Sequence, residues 1–308
     1  MRRFDPATLA YLGFLSIPGW LYDSVAWLRL FGLFFLFFGW PFVASLWRES
    51  IDDPADWIEI GDRAYLTRYY VSMLLVFTNP FYWAFVFGQL IGHITVLGRY
   101  FGRLPDDVER PGVPEYRLPF DGTWTVLHGG MTRTHSHSWG VFAQRYAYDF
   151  VVTDEEGKTH DGDESNLEAY YCFDRRVKAP AAGTVIATKN DHRDYPRPGG
   201  WLDPFQRDLR GNFVMIDHGD EYSVLAHLRQ GSVTVRQGDH VAAGQVIGRC
   251  GNSGNTTEPH LHFHVQDHPK LFFGMGLPIP FVDLQIGDQV HESETTIQAG
   301  QQVRPATD

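Results

Sequence analysis

Lysine and cysteine are scarce in this 308-residue chain. Only four of its 26 basic residues are lysines, and its two cysteines, Cys172 and Cys250, match no zinc-binding spacing and by themselves establish no disulfide. Acidic residues outnumber basic ones, for a net charge of −11, and the sequence contains no internal repeat. A hydrophobic content of 44% excludes a disordered chain. The lack of a basic surplus argues against a nucleic-acid partner.

Charge and histidine are distributed unevenly along the chain. Residues 1–103 carry 8 basic and 8 acidic side chains, whereas the remaining residues carry 18 basic and 29 acidic ones. Only one of the 14 histidines, His93, precedes residue 104. The sequence therefore predicts two parts, an uncharged one followed by an acidic, histidine-rich one.

The first part, residues 1–101, is predicted to be a membrane anchor with two, possibly three, transmembrane helices. Residues 69–98 contain no charged side chain, and at about 1.5 Å per residue they are long enough to cross a bilayer, with a kink allowed at Pro80. Residues 30–47 form a second uncharged run, and residues 6–22 a third that is interrupted by proline and glycine. The alternative is a buried helical core. We expect an integral protein of the cell membrane in contact with lipid.

The second part is predicted to be an all-β domain. Residues 102–122 contain several prolines and are predicted to be a linker, followed by a domain over residues 123–290 and a tail over residues 291–308. Short apolar runs bounded by Gly, Asn and Asp favour antiparallel strands in a sandwich or partly closed barrel. The long polar insertion at residues 190–210 is predicted to be functional.

The segment HLHFH at residues 260–264 is the strongest chemical signal in the sequence. Side chains alternate along a strand, so His260, His262 and His264 should share one face. Packing three imidazoles on a half-buried face is costly unless they have a common purpose. This pattern predicts a metal site.

Further candidate ligands occur upstream of this segment. Asp149 lies between two aromatic residues on a predicted strand, where a carboxylate is expensive unless it is paired or bound to a metal. His227 lies between apolar residues, and His135 and His137 occupy alternate positions. Imidazole and carboxylate ligands together fit one Zn²⁺ with an open fourth position.

Several segments together resemble the lysostaphin-like, or LytM-type, zinc metallopeptidases. They are GNFVMIDHG (211–219), YSVLAHL (222–228), VTVRQGDHVAAGQVIGRCGNSG (233–254) and EPHLHFHV (258–265). The resemblance implies a small antiparallel β fold, one zinc ion, and hydrolysis of peptide bonds, typically in peptidoglycan or other cell-envelope peptides.

The resemblance also implies roles for individual residues. His262 and Asp149 match zinc ligands, and His260 and His227 match the catalytic histidines. The first ligand histidine of the family would fall on Arg145, which cannot bind a metal. We therefore assign that ligand to His137, with His135 as the alternative. His218 and His264 are expected to support these groups or to be structural.

Three functions are compatible with these observations. The first is a membrane-anchored zinc endopeptidase with its peptidase domain outside the cytoplasm. The second is a catalytically inactive binding or regulatory module of the same fold. The third is a lipoyl-type hairpin of a membrane-fusion or carrier protein, suggested by GDHVAAGQVIG (238–248), although no lysine occurs between Lys189 and Lys270 to serve as its attachment point. The oligomeric state is left open.

Overall fold

The computed structural model describes residues 6–39, 63–101, 104–105 and 114–306. The chain divides into two compact units, residues 1–53 and 54–308. The second unit thus combines the β domain with the helices that follow residue 63. This division differs from the predicted boundary at residue 101, because those helices pack on the β domain.

The first unit is helical where it is described. It contains 3₁₀ helices at Pro6–Ser16 and Asp23–Gly39, which flank the short helix α1 (Ile17–Leu21). The rings of Phe14 and Phe35 meet edge to face at 5.2 Å. The predicted apolar run at residues 30–47 continues beyond residue 39 into a segment outside the described residues.

The uncharged run at residues 69–98 is divided between two helices. Helix α2 spans Arg63–Val76 and helix α3 spans Pro80–Arg99. The side chain of Asn79 accepts a hydrogen bond from the Phe81 amide (2.9 Å), and Pro80 provides the first helical residue. These are the capping residues that favour a new helix, so one helix ends and another begins here, where the sequence allowed a kink within one helix. Among the described residues, α3 is the one helix whose length and composition would allow it to cross a membrane.

One face of α3 packs against the β domain. Gly88 and Gly92 lie against Phe272, where a Cβ on Gly92 would overlap the Phe272 carbonyl oxygen. At the end of the helix, Arg99 forms an ion pair with Asp267 at 2.8 Å. The other face of α3 is apolar and exposed at Phe87, Leu90, Ile91, Ile94 and Leu97.

The β domain is built on a ten-stranded sheet and a two-stranded sheet. The order of the large sheet is β11-β10-β12-β1-β2-β9-β6-β5-β4-β7, the small sheet pairs β3 with β8, and neighbouring strands are antiparallel throughout. The antiparallel β prediction is thus confirmed. The strands are β1 (Trp124–His128), β2 (Tyr148–Val151), β3 (Arg176–Lys178), β4 (Gly183–Lys189), β5 (Asn212–Asp217), β6 (Tyr222–Leu228), β7 (His240–Val241), β8 (Val246–Arg249), β9 (Leu261–Gln266), β10 (Leu284–Ile286), β11 (Gln289–His291) and β12 (Gln302–Pro305).

A single apolar core joins the two sheets. It contains Val177 and Ile247 from the small sheet together with Phe263 from the large one. The core also includes side chains from the predicted linker and tail, among them Phe120 and Val303. β12 lies between β1 and β10, so its backbone hydrogen bonds and the burial of Val303 make it part of the domain.

The insertion at residues 190–210 is held from two sides. On one side, the Asn212 amide donates to the carbonyl oxygens of His192 (2.7 Å) and Leu228 (2.9 Å). On the other side, the Ser72 hydroxyl of α2 accepts from the Leu202 amide at 3.1 Å. The insertion is therefore fixed between α2 and the sheet.

Candidate metal centre and active site

Asp149 and His262 are brought together by the pairing of neighbouring strands. β2 pairs with β9 so that these two residues are directly opposite. His262 Nδ1 lies 2.8 Å from Asp149 Oδ1, and both residues are buried, with 4% and 5% of their surfaces exposed. Most of HLHFH forms a strand, as predicted, and the pairing of that strand with β2 brings an imidazole and a carboxylate from distant parts of the sequence into contact.

His137 completes a group of three potential ligands. Its Nδ1 lies 3.3 Å from Asp149 Oδ2, and the ligand atoms of His137, Asp149 and His262 are all within 4.8 Å of one another. His135 instead has its Nδ1 2.9 Å from the Thr132 hydroxyl. The segment forms turns, so the strand-like alternation expected for His135 and His137 does not apply. Of the two candidates, the geometry favours His137.

The surrounding histidines control the charge of Asp149. Burial alone would raise the pKa of this carboxyl group. The neighbouring imidazoles of His137, His260 and His262 outweigh that effect and hold the pKa of Asp149 well below its usual range. Asp149 is therefore a carboxylate at neutral pH, as a metal ligand must be.

His260 and His227 lie beside this group, and each has a defined tautomer. His260 Nδ1 is 2.9 Å from the Glu258 carbonyl oxygen, and His227 Nδ1 is 2.8 Å from the Ser253 carbonyl oxygen. A carbonyl oxygen only accepts hydrogen bonds, so Nδ1 carries the proton in both rings. Each Nε2 therefore presents a lone pair, and that of His260 lies 3.7 Å from Asp149 Oδ1.

His227 adopts an unusual backbone conformation. It has a φ of +61°, which is uncommon for a residue with a side chain. Its ring centroid lies 4.6 Å from that of His260 and 5.7 Å from that of His262. Burial, followed by these two neighbouring histidines, lowers the pKa of His227 well below its usual value. A neutral ring thus sits beside the candidate metal ligands.

The other positions named from the sequence lie in different surroundings. The Arg145 guanidinium is positioned over the Trp139 ring at 4.8 Å. His218 bonds to the Ala182 carbonyl oxygen and to the Ser223 hydroxyl. His264 contacts His262 directly, and its burial lowers its pKa to about 3.

Sequence reasoning missed His128 at the end of β1. It is paired with Asp149 across the sheet, and its ring centroid lies 4.9 Å from that of His137. The available signal was its place at the end of an apolar run, immediately before two glycines.

Comparison with known proteins identifies a family that matches part of the β domain. Residues 171–272 match the profile of Peptidase family M23. The β domain belongs to this family. The match includes His227, His260 and His262, whereas Asp149 and His137 precede it, so their assignment depends on the geometry. The curated relatives that this chain resembles include peptidoglycan DD-endopeptidases, and one similar solved structure is described as a zinc-containing peptidase from Vibrio cholerae.

Similarity to individual M23 proteins is partial. The chain is 42% identical over 55 residues to the peptidoglycan DD-endopeptidase ShyA of Vibrio cholerae, covering 18% of this chain and 13% of ShyA. It is 30% identical over 147 residues to ShyB of the same organism, covering 42% of this chain and 34% of ShyB. The solved catalytic domain of lysostaphin from Staphylococcus simulans is 19% identical, with a TM-score of 0.28 and coverage of 54% and 86%. The chain spans about a third or less of the length of the curated relatives it matches.

Proposed function

We propose that this protein is a zinc metalloendopeptidase that hydrolyses peptide bonds in cell-envelope peptides of the peptidoglycan type. The observation that carries the proposal is the assembly of His137, Asp149 and His262 within 4.8 Å of one another, beside two histidines with free Nε2 lone pairs. Membership in the M23 family supports the choice of reaction. The names of the relatives ShyA and ShyB support the choice of substrate.

The donor set fits zinc. Two imidazole nitrogens and one carboxylate oxygen are typical ligands of a catalytic zinc ion, which keeps a fourth position for water. With neutral histidines and one carboxylate, the site would retain a net charge of +1, which favours developing negative charge. When bound here, zinc would lower the pKa of a coordinated water toward neutrality and polarise the scissile carbonyl group.

His260 and His227 supply proton transfer in the proposed mechanism. The unprotonated Nε2 of either ring can accept a proton from the attacking water, because its Nδ1–H is already committed to a backbone carbonyl. The resulting imidazolium can then donate to the developing oxyanion or to the leaving amine. The lowered pKa of His227 keeps it neutral before the reaction, and therefore able to accept.

The test is to measure zinc content and peptide cleavage with the purified full-length chain. We expect one zinc ion per chain and cleavage of peptidoglycan or a peptide library, with both lost in Asp149→Asn and His262→Ala. The matched control is His240→Ala, which replaces an exposed histidine whose Nδ1 lies 3.0 Å from the Thr184 hydroxyl. Equal cleavage by His262→Ala would refute the site. Zinc binding without cleavage would favour the inactive-module alternative.

We also propose that the protein is membrane-associated through α3, with the β domain outside the cytoplasm. The support is the exposed apolar face of α3, opposite the face that packs on the β domain. Leaving so many large apolar side chains in water would be unusual for a soluble protein. We expect detergent, and not alkaline carbonate, to release the full chain from membranes. Recovery in the soluble fraction without detergent would contradict membrane association.

The proposed side of the membrane needs a separate measurement. We expect a protease added outside intact cells, with the wall removed, to digest the β domain. A cytosolic protein serves as the control for cell integrity. Digestion only after lysis would contradict the proposed orientation.

A further inference from the structure

A line of hydrogen bonds extends from His262 along one face of β9. His262 Nε2 lies 3.0 Å from His264 Nδ1, and His264 Nε2 lies 3.1 Å from Gln266 Oε1. The side-chain amide nitrogen of Gln266, Nε2, in turn donates to the His268 carbonyl oxygen. His264 and Gln266 are 1% and 0% exposed, so this line is sealed from solvent.

The last partner in the line determines the direction of every bond. A carbonyl oxygen accepts only, so the His268 carbonyl fixes the Gln266 amide with its nitrogen toward that oxygen and its Oε1 toward His264. Oε1 also accepts only, so His264 Nε2 must carry a proton. In a neutral ring, His264 Nδ1 is then an acceptor.

This direction reaches His262 itself. Because His264 Nδ1 accepts, His262 Nε2 must be the protonated nitrogen. A metal-ligating histidine is neutral, so in that state His262 Nδ1, which faces Asp149 Oδ1, is the nitrogen whose lone pair is available to the metal. A ligating histidine usually donates its other N–H to an acceptor that fixes the tautomer and the ring orientation.

We infer that His264 and Gln266 are positioning residues that fix the tautomer and orientation of His262 and thereby set the affinity of the site for zinc. This inference rests on the proposed function. Packing alone does not account for the pair, because leucine and methionine fill buried strand positions without the cost of desolvating polar groups. Loss of such a supporting partner typically weakens metal affinity about 10- to 100-fold.

Two substitutions at position 264 separate hydrogen bonding from packing. His264→Leu keeps apolar bulk and removes the acceptor, leaving the His262 Nε2–H buried without a partner. His264→Asn can place its Oδ1 where Nδ1 lies, since the two atoms are the same number of bonds from Cα. The full-length chain is used in detergent, with zinc affinity measured by competition with a chromophoric chelator. The absorption spectrum of the cobalt-substituted protein reports ligand geometry, and thermal unfolding of the metal-free protein reports folding.

We expect His264→Leu to bind zinc about 10- to 100-fold more weakly than the unmodified chain, with an altered cobalt spectrum. We expect the zinc affinity and the cobalt spectrum of His264→Asn to remain much closer to those of the unmodified chain. Unchanged affinity in His264→Leu, or equal weakening in both variants, would overturn the inference. If His264→Leu does not fold, Gln266→Leu is the deciding variant. Weaker zinc binding by Gln266→Leu would support the role of the line of hydrogen bonds, and unchanged binding would contradict it. Failure of the unmodified chain to bind zinc would refute the proposed function itself, and is thus a distinguishable result.

Discussion

Glu258 is a buried carboxyl group two residues before His260, and its ionisation should cost the folded protein stability. It is 5% exposed, and its Oε2 accepts a hydrogen bond from the Thr159 hydroxyl at 3.3 Å. Its Oε1 has no hydrogen-bond partner among the residues that the structure describes. Burial raises the pKa of Glu258 from 4.5 to about 7. The group is thus neutral in the folded protein at mildly acidic pH, where the unfolded chain is already ionised.

The size and sign of the effect follow from this difference in pKa. A rise from 4.5 to about 7 corresponds to about 3 kcal/mol at roughly 1.4 kcal/mol per pKa unit. Because the folded pKa is the higher one, the folded state binds more protons between these two values. Its stability therefore falls as the pH rises through this window, and the full loss is reached above about pH 7.

Glu258→Gln removes this pH dependence, because glutamine does not ionise. The buried amide has its own cost, but that cost is the same at every pH. The quantity to measure is the difference in unfolding free energy between the variant and the unmodified chain. We expect it to shift in favour of the variant by about 3 kcal/mol between pH 4.5 and pH 8.5.

Urea unfolding of the metal-free, full-length chain in detergent gives this quantity at each pH. Removing the metal avoids the pH dependence of zinc binding, and the titrations of other groups cancel in the comparison. Glu292→Gln, at an exposed position, is the matched control, for which we expect no such shift. A Glu258→Gln difference that stays constant across the pH range would refute the reasoning.

Two further predictions concern packing. Gly92→Ala should lower the unfolding temperature of the full chain, because the added Cβ would overlap the Phe272 carbonyl oxygen. The control is Gly98→Ala, which has open space around it and should be neutral or stabilising by up to about 1 kcal/mol. Equal unfolding temperatures for the two variants would contradict the packing of α3 on the β domain. Arg145→Ala should lower the free energy of chemical unfolding by about 0.5–2 kcal/mol, because the contact of Arg145 with the Trp139 ring is lost. The variant should still bind one zinc ion per chain. Loss of zinc would show that the metal site extends to this position.

The sequence was most informative where a signal is local. The alternation in HLHFH predicts that His260, His262 and His264 share a face, and the contact between His262 and His264 on β9 agrees with this for those two residues. The strand that would lie opposite was not predictable, because the pairing of β2 with β9 joins segments more than 100 residues apart. The choice between His135 and His137 likewise depended on turns whose geometry no periodicity describes.

Two features of the fold were not evident from the pattern of apolar residues, and each has a physical cause. β12 has one fully buried side chain, Val303, among four residues, which is too little apolar content to distinguish a strand from a polar tail. The face of α3 that packs on the β domain could not be identified from the sequence for the opposite reason, which is an excess of apolar residues. Both faces of this helix are apolar, so hydrophobicity did not separate the side that meets the β domain from the exposed one. The pair Gly88 and Gly92 was the available signal, since small residues permit close approach.

The helices contribute to the geometry of the site because they hold both ends of β9. Before the strand, the Tyr65 hydroxyl of α2 donates to the Thr257 hydroxyl at 2.8 Å. Directly after it, Asp267 is held by Arg99 at the end of α3. Without these helices, Phe272 would be exposed and Asp267 would lose that partner, while the region matched to the M23 family would still be complete. Zinc affinity and cleavage should therefore be measured on the full chain, because the strand that carries His262, and that His260 directly precedes, is braced by residues outside that region.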